Sequence, residues 1–205
     1  TYLLIALAAS LVFITVFSIR KLQKQQQLLV RLASKDSLTG LDNRREFIQV
    51  TQQALRSNDI EEPLSLIMFD LDNLKWINDN YGHQAGDWVL SEVGKILIAR
   101  LAESTVSCAR VGGEEFVLCL KGTEVNLALA YCNDIQSWLA GIDTKAKLDG
   151  LQLSASFGVC DTNQVGKQLD SLISGADLAM YKAKKAGRRQ AVKYPMEQGS
   201  KEESI

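Results

Sequence analysis

The chain reads as an α/β (α+β) protein, a central sheet covered by helices and preceded by a transmembrane helix and a short signalling helix. Three observations predict this. Apolar residues recur with helical period in some stretches and strand period in others, and the two kinds interleave from Arg45 to Tyr194. An uncharged apolar run fills residues 2–19. A Gln-rich stretch without Pro or Gly joins that run to the rest of the chain. The expected organisation is a membrane helix over 1–19, a signalling or coiled-coil helix over 20–35, one domain over 36–195 and a disordered polar tail over 196–205.

As a helix, residues 2–19 rise about 27 Å at ~1.5 Å per residue, close to the ~30 Å of bilayer hydrocarbon. Arg20, Lys21 and Lys24 follow at once, with Arg31 and Lys35 beyond. A cationic flank marks the cytoplasmic side, whereas a signal peptide carries its charges ahead of the apolar run. The expected location is the inner (cytoplasmic) membrane, with the remaining chain on the cytoplasmic side. The first residue is Thr, so the chain reads as a fragment that lacks an upstream sensor region. In the next stretch Leu22, Leu29 and Leu32 fit a and d positions, with Gln25 as a polar d. That pattern suits a helix pairing weakly with a copy of itself or a monomeric connector, and two heptads do not decide between them.

Gly40, Asp42 and Asn43 then supply turn residues. Phe47, Val50, Ala54 and Leu55 share one face of a helix over Arg45–Arg56. The run Leu64–Phe69 is short and wholly apolar, which suits a buried strand. Trp88 to Leu101 repeats at helical spacing. Val106–Val111 and Phe116–Leu120 read as a hairpin turning at Gly112-Gly113. A helix over Leu127–Trp138, a strand over Leu151–Cys160, a helix over Leu169–Ala183 and a short strand over Ala191–Tyr194 complete the alternation.

Composition excludes some functions. A net charge of -1 gives no basic field for nucleic acid, so a polyanionic ligand must be held by a few placed cations or a metal. The four cysteines (Cys108, Cys119, Cys132, Cys160) form no CxxC pair and His83 is the only histidine, so zinc-site spacing is absent. Cysteines in apolar runs are read as buried, reduced thiols.

Four features carry chemistry. Asp70 and Asp72 end an apolar strand at i and i+2, on one side of it, and hard oxygen donors there suit Mg²⁺. Taken alone, such a pair also serves as a turn or helix cap. In Arg110-Val111-Gly112-Gly113-Glu114-Glu115-Phe116 the glycines let a nucleotide approach the backbone, and Glu114 can join Asp70 around a metal on a triphosphate. The competing reading is a plain hairpin turn with solvated acids. Lys75 suits phosphate, and Asn78 and Asp87 offer donors and acceptors for a guanine edge. Residues Asn78 to Gly82 equally suit a loop, with Asp87 capping the next helix. Lys184, Lys185, Arg188 and Arg189 cluster at a helix C-terminus, where the dipole favours them and phosphate can bind.

LTGLDNRREF, FDLDNLKWINDNYGHQAGD, RVGGEEF, SASFGV and DLAMYKAKKAGR stand in the order and spacing of the GGDEF family of diguanylate cyclases. The resemblance covers roughly Asp36 to Tyr194, and GGEEF is the Glu form of the signature that active members tolerate. It implies a mixed sheet similar to nucleotide cyclases and polymerase palms. It also implies a homodimer that condenses two GTP into cyclic di-GMP with Mg²⁺ (or Mn²⁺). Asp70, the Leu71 carbonyl and Glu114 would hold the metal, with Glu114 assisting deprotonation of the attacking 3′-hydroxyl and Glu115 supporting it. Asn78 and Asp87 would read guanine. Lys75, Lys184 and Arg188 would hold the triphosphate, against a backbone left open by Gly112 and Gly113, and His83 would shape its loop. Departures exist. Glu103-Ser104-Thr105-Val106 stands where many members carry an RxxD inhibitory motif, Leu74 replaces Phe, and Arg189 replaces Asn. The alternative implied by the family is a degenerate domain that binds GTP or docks a protein.

Overall fold

The computed structural model describes residues 2–32, 34–57, 62–101 and 105–194, with side chains 2–9 and 26–33 outside the description. The expected disordered tail and Glu103 therefore lie outside the described residues, as do the side chains of Leu29 and Leu32 at their heptad positions. The chain divides into two compact units, the first ending at Lys35 and the second beginning at Asp36.

The first unit is one continuous helix, α1 (Tyr2–Leu32). Its residues 10–25 are exposed, and they include Leu11, Phe13, Ile14 and Phe17. Among the described residues no helix is long and apolar enough to cross a membrane. The expected span over 2–19 is therefore not supported by them, since half of that run has no described side chains.

The second unit holds β1 (Asp42–Asn43), α2 (Arg44–Arg56), β2 (Leu64–Leu71), α3 (Leu74–Tyr81), α4 (His83–Arg100), β3 (Thr105–Arg110), β4 (Glu115–Lys121) and α5 (Val125–Ala140). It continues with α6 (Lys145–Leu148), β5 (Ala155–Asp161), α7 (Thr162–Val165), α8 (Leu169–Lys185) and β6 (Ala191–Lys193). The six strands form one sheet in the order β1-β3-β4-β2-β5-β6. The outer pairs β1/β3 and β5/β6 are parallel and the inner pairs antiparallel, so the sheet is mixed.

The unbroken apolar run of β2 follows from its position between β4 and β5, with both faces covered. On one face Phe69, Phe116 and Phe157 from these three strands meet, with ring centroids 5.1 Å apart. That core is closed by α3, α4 and α5. Leu64, Leu66, Val117, Cys119 and Cys160 face the other way, against α2 and α8. All four cysteines are buried, and none forms a disulfide. Burial pushes the Cys119 and Cys160 thiols up to about 12, and Cys132 is also raised, so they stay protonated at neutral pH.

The structure alters three readings. The segment after Asn73 is helical, not a loop: α3 starts behind a left-handed Asn73 (φ 61) and stops at Gly82 (φ 84). The next helix begins at His83, so Asp87 sits inside α4 rather than capping it. Strand β5 starts at Ala155, because Leu151–Ser154 has no partner strand beside it; the Ser154 carbonyl accepts instead from the Asp72 amide at the end of β2.

One glycine fixes how α8 meets the sheet. A Cβ on Gly158 would overlap the Ala176 carbonyl oxygen and the Met180 amide nitrogen, both backbone atoms of α8. The helix can lie this close to β5 only because position 158 has no side chain. Gly158→Ala is expected to lower stability by about 3 kcal/mol through overpacking, read as a shifted midpoint in urea unfolding.

Candidate functional site

The end of β2 and the turn of the β3–β4 hairpin meet by strand pairing. Asp70 lies opposite Glu115, and the Leu71 amide donates to the Glu114 carbonyl at 3.1 Å. This sets the side chain of Glu114, in the loop, beside that of Asp70, on the strand. Asp70, Lys75, Glu114, Lys184 and Arg188 line one cleft of about 360 Å³, with Asn73, Leu74, Trp76 and Asp79. Five of the residues singled out in the sequence thus share one wall system, although they come from β2, the hairpin, α3, and α8 with the turn after it.

Within the cleft Asp70 is buried, and its Oδ2 lies 2.9 Å from Lys184 Nζ. Burial raises the Asp70 pKa; Lys184 opposes that rise, and the charges of Glu115 and Asp72 add to it. Glu114 is raised as well, by burial first and then by the charge of Asp70, again opposed by Lys184. Two carboxylates are therefore neighbours, with the Lys184 ammonium beside Asp70. Folded-state values above the unfolded ones carry a definite sign. The stability they contribute is fully present below the ordinary carboxylate range and is lost as pH rises through the raised values. Ionising the two groups therefore costs folding stability.

A divalent cation would relieve that repulsion, and the donors present suit one. Among the described residues no three His, Cys, Asp or Glu side chains are grouped to hold a metal alone. Mg²⁺ is ordinarily held by one or two carboxylates together with water and substrate phosphate, so two acids and a neighbouring backbone oxygen match its needs.

The hairpin turn is held by the last residue of β3, which is in turn tied to Asp36 outside the sheet. Arg110 donates through Nε and Nη2 to the Gly113 carbonyl (3.2 and 2.7 Å), and its Nη1 reaches Asp36 Oδ1 at 3.3 Å. Asp36 also accepts from the amide and hydroxyl of Thr39. Burial would raise the Asp36 carboxyl, but the Thr39 hydrogen bonds and the Arg110 charge outweigh it and hold the group below its usual range. The first residue of the domain is thereby tied to the signature loop. Neither Gly112 nor Gly113 has a positive φ. A Cβ on Gly112 would overlap the Glu115 carboxylate, whereas one on Gly113 would meet open space. Gly112 therefore makes room for Glu115, and Gly113 leaves the backbone bare.

Other expected residues stand apart from the cleft. Glu115 lines a smaller pocket of about 120 Å³ on the α2 and α8 side, with Arg44, Phe47 and Ile173. Asn78 on α3 lies against Gly86 on α4, where an added Cβ would overlap its Oδ1. Asp87, one residue on, is exposed, as is His83 at the start of α4. Asp72 does not act with Asp70: its carboxylate accepts hydrogen bonds from Ser154, Ser156 and the Arg189 amide.

Several contributors had no role in the sequence reading. Arg110 and Gly86 sit inside quoted motifs, but with Asp87 read as a cap, Gly86 fell outside the helix and gave no signal of close approach. Trp76, half exposed, and Asp79 are visible only once α3 is known to be a helix. Ser154 and Ser156 lie in the quoted SASFGV block, but nothing there pointed to Asp72, which is remote in sequence.

The diguanylate cyclase GGDEF domain family matches residues 33–190. The chain is 35% identical over 165 residues to the diguanylate cyclase DgcS of Shewanella oneidensis, covering 80% of this chain and 54% of that protein. It spans about half the length of the curated relatives it matches (54, 52 and 51%). Two solved structures from Pseudomonas aeruginosa superpose with TM-scores of 0.72. One is diguanylate cyclase SiaD in complex with its activator SiaC, at 30% identity over 88% of this chain and 70% of that one. The other is the GGDEF domain of YfiN, at 32% identity over 79% and 95%.

Proposed function

Because the chain belongs to the GGDEF-domain diguanylate cyclase family, we propose that it condenses two GTP into cyclic di-GMP and two pyrophosphate, as a homodimer with one GTP on each domain. The observation that carries this reading is the cleft in which Asp70 and Glu114 stand with Lys75, Lys184 and Arg188. Two acids and three cations in one cleft suit a metal-bound triphosphate.

In this reading Lys75, Lys184 and Arg188 hold phosphate oxygens, Arg188 with a planar fork and the lysines as point charges. Asn78 and Asp87 hold the guanine edge. Mg²⁺ (or Mn²⁺), bound by Asp70, the Leu71 carbonyl and Glu114, would neutralise triphosphate charge and make the ribose 3′-hydroxyl more acidic. Glu114, beside that metal, would assist removal of the 3′-hydroxyl proton. Glu115 supports Glu114 from the adjoining strand position. The 3′-oxygen of one GTP attacks the α-phosphorus of the other, the bond to the bridging oxygen breaks, and pyrophosphate leaves. Two such steps close the ring. No covalent enzyme intermediate is needed, so the work is positioning and charge neutralisation.

Attachment to the inner membrane through residues 2–19 belongs to the same proposal. It is supported by the uncharged run, its cationic flank and the exposed apolar side chains of α1. The catalytic domain would then lie on the cytoplasmic side, with residues 20–35 setting how two copies meet.

Two outcomes follow. Purified protein given GTP and Mg²⁺ should yield cyclic di-GMP by chromatography, and Glu114→Gln should reduce the rate by roughly a thousandfold. Bound GTP with no product from the parent would instead mark a degenerate binding domain. Gly86→Ala should swing the Asn78 amide aside and weaken GTP binding by roughly tenfold, the cost of one or two recognition hydrogen bonds, while the unfolding midpoint stays near the parent's. An unchanged affinity would remove Asn78 from guanine recognition.

A further inference from the structure

Asp72 stands one residue beyond the end of β2 and is 8% exposed. Its Oδ1 accepts from the Ser156 hydroxyl at 2.6 Å. Its Oδ2 accepts from the Ser154 hydroxyl at 2.6 Å and from the Arg189 backbone amide at 3.1 Å. The two serines lie next to and on β5, so those bonds join neighbouring strands. The third bond is different in kind. It ties the sheet to the turn that follows α8.

That turn runs through the left-handed region at three consecutive residues: Gly187 (φ 112), Arg188 (φ 63) and Arg189 (φ 50). Glycine takes such angles freely, but the two arginines do so at a steric cost and persist there only when their surroundings hold them. Other tethers are the Arg188 amide to the Ala183 carbonyl (3.1 Å) and Arg189 Nη2 to Gln152 Oε1 (2.6 Å). Among the described residues, only the bond to Asp72 fixes the strained backbone itself to the buried end of β2. Arg188, whose peptide carbonyl side leads directly into that amide, lines the cleft with Asp70, Glu114 and Lys184.

We infer that Asp72 is a positioning residue: by anchoring the Arg189 amide it holds the reversed turn that aims Arg188 at the triphosphate. The inference rests on the proposed GTP site and assigns it a further part. The second acid of the Asp-x-Asp pair serves the phosphate-binding arm and not the cation. A buried carboxylate suits this task because it accepts several donors at once, and a bond to a charged acceptor is stronger than one to a neutral one. Rotating hydroxyls at Ser154 and Ser156 satisfy its remaining lone pairs.

The test compares GTP and GMP binding by calorimetry, with Mg²⁺, using the full chain. Asp72→Ala should weaken GTP by roughly tenfold, the loss of an arginine–phosphate contact, and leave GMP unchanged. Asp72→Asn should restore GTP affinity, because its amide oxygen can accept from Arg189 while its NH2 donates to Ser156. In an Arg188→Ala background, Asp72→Ala should add no further loss. If Asp72→Ala does not fold, Asp72→Ser, whose hydroxyl is too short to reach the Arg189 amide, takes its place with the same expectations. Equal weakening of GMP, or losses at 72 and 188 that multiply, would overturn the inference and leave Asp72 a strand tie. A parent chain that binds no GTP would count against the site reading itself, and the inference would fall with it.

Discussion

Two carboxylates brought together at the buried end of a central strand are the constraint on which the rest depends. Asp70 cannot be withdrawn, because β2 lies between β4 and β5 and its register is fixed by seven paired positions on each side. Glu114 cannot be withdrawn either, because the hairpin that carries it is paired to the same strand. Burial raises the pKa of both acids and the charge of Asp70 raises Glu114 further, so the pair calls for a cation. In this chain the resident cation is Lys184, 2.9 Å from Asp70. Its reach explains features far from it. The last turn of α8 must come close to β2, so the helix lies directly on Gly158. The turn after it must double back toward the cleft, and Asp72 holds that turn. The hairpin must not recoil from Asp70, and Arg110 grips the Gly113 carbonyl.

This arrangement sets function against stability. Burial of Asp70 and repulsion from Glu114 weaken the folded state near neutral pH, by the sign of their raised pKa values. The sheet core offsets that cost: Phe69, Phe116 and Phe157 are fully buried directly behind the acids. Strain of this kind is expected where a site is built to receive a charged ligand, since ligand binding then relieves it.

Much of this was legible in the residue pattern. The central strand stood out because β2 is apolar on both faces, and the hairpin because two apolar runs flank a glycine pair. The cleft acids and cations were recognisable because they lie in motifs of fixed order. Less visible were features that depend on distance in space. Nothing in the local sequence shows that Ser154 and Ser156 meet Asp72, or that Arg110 meets Asp36 across the fold. Alternation suggested that Asp70 and Asp72 act alike, yet what each touches is decided by the strand end and by the turn after α8. Helix α3 was obscured because Asn73, Asn78 and Asn80 favour turns; the helix is secured by Leu74 and Ile77, buried in the core. The uncharged run at residues 2–19 is the converse case, plain in the sequence but with its side chains described only from residue 10.

The most direct test is thermal unfolding of the parent and Glu114→Gln at neutral pH, without ligand and then with Mg²⁺ and GTP. Without ligand the variant should unfold at the higher temperature, since one of two repelling charges is gone. With Mg²⁺ and GTP the parent should gain more and the order should reverse. A variant that unfolds below the parent without ligand, and a parent that Mg²⁺ and GTP do not stabilise, would contradict the claim that this acidic pair is built for a cation and a triphosphate.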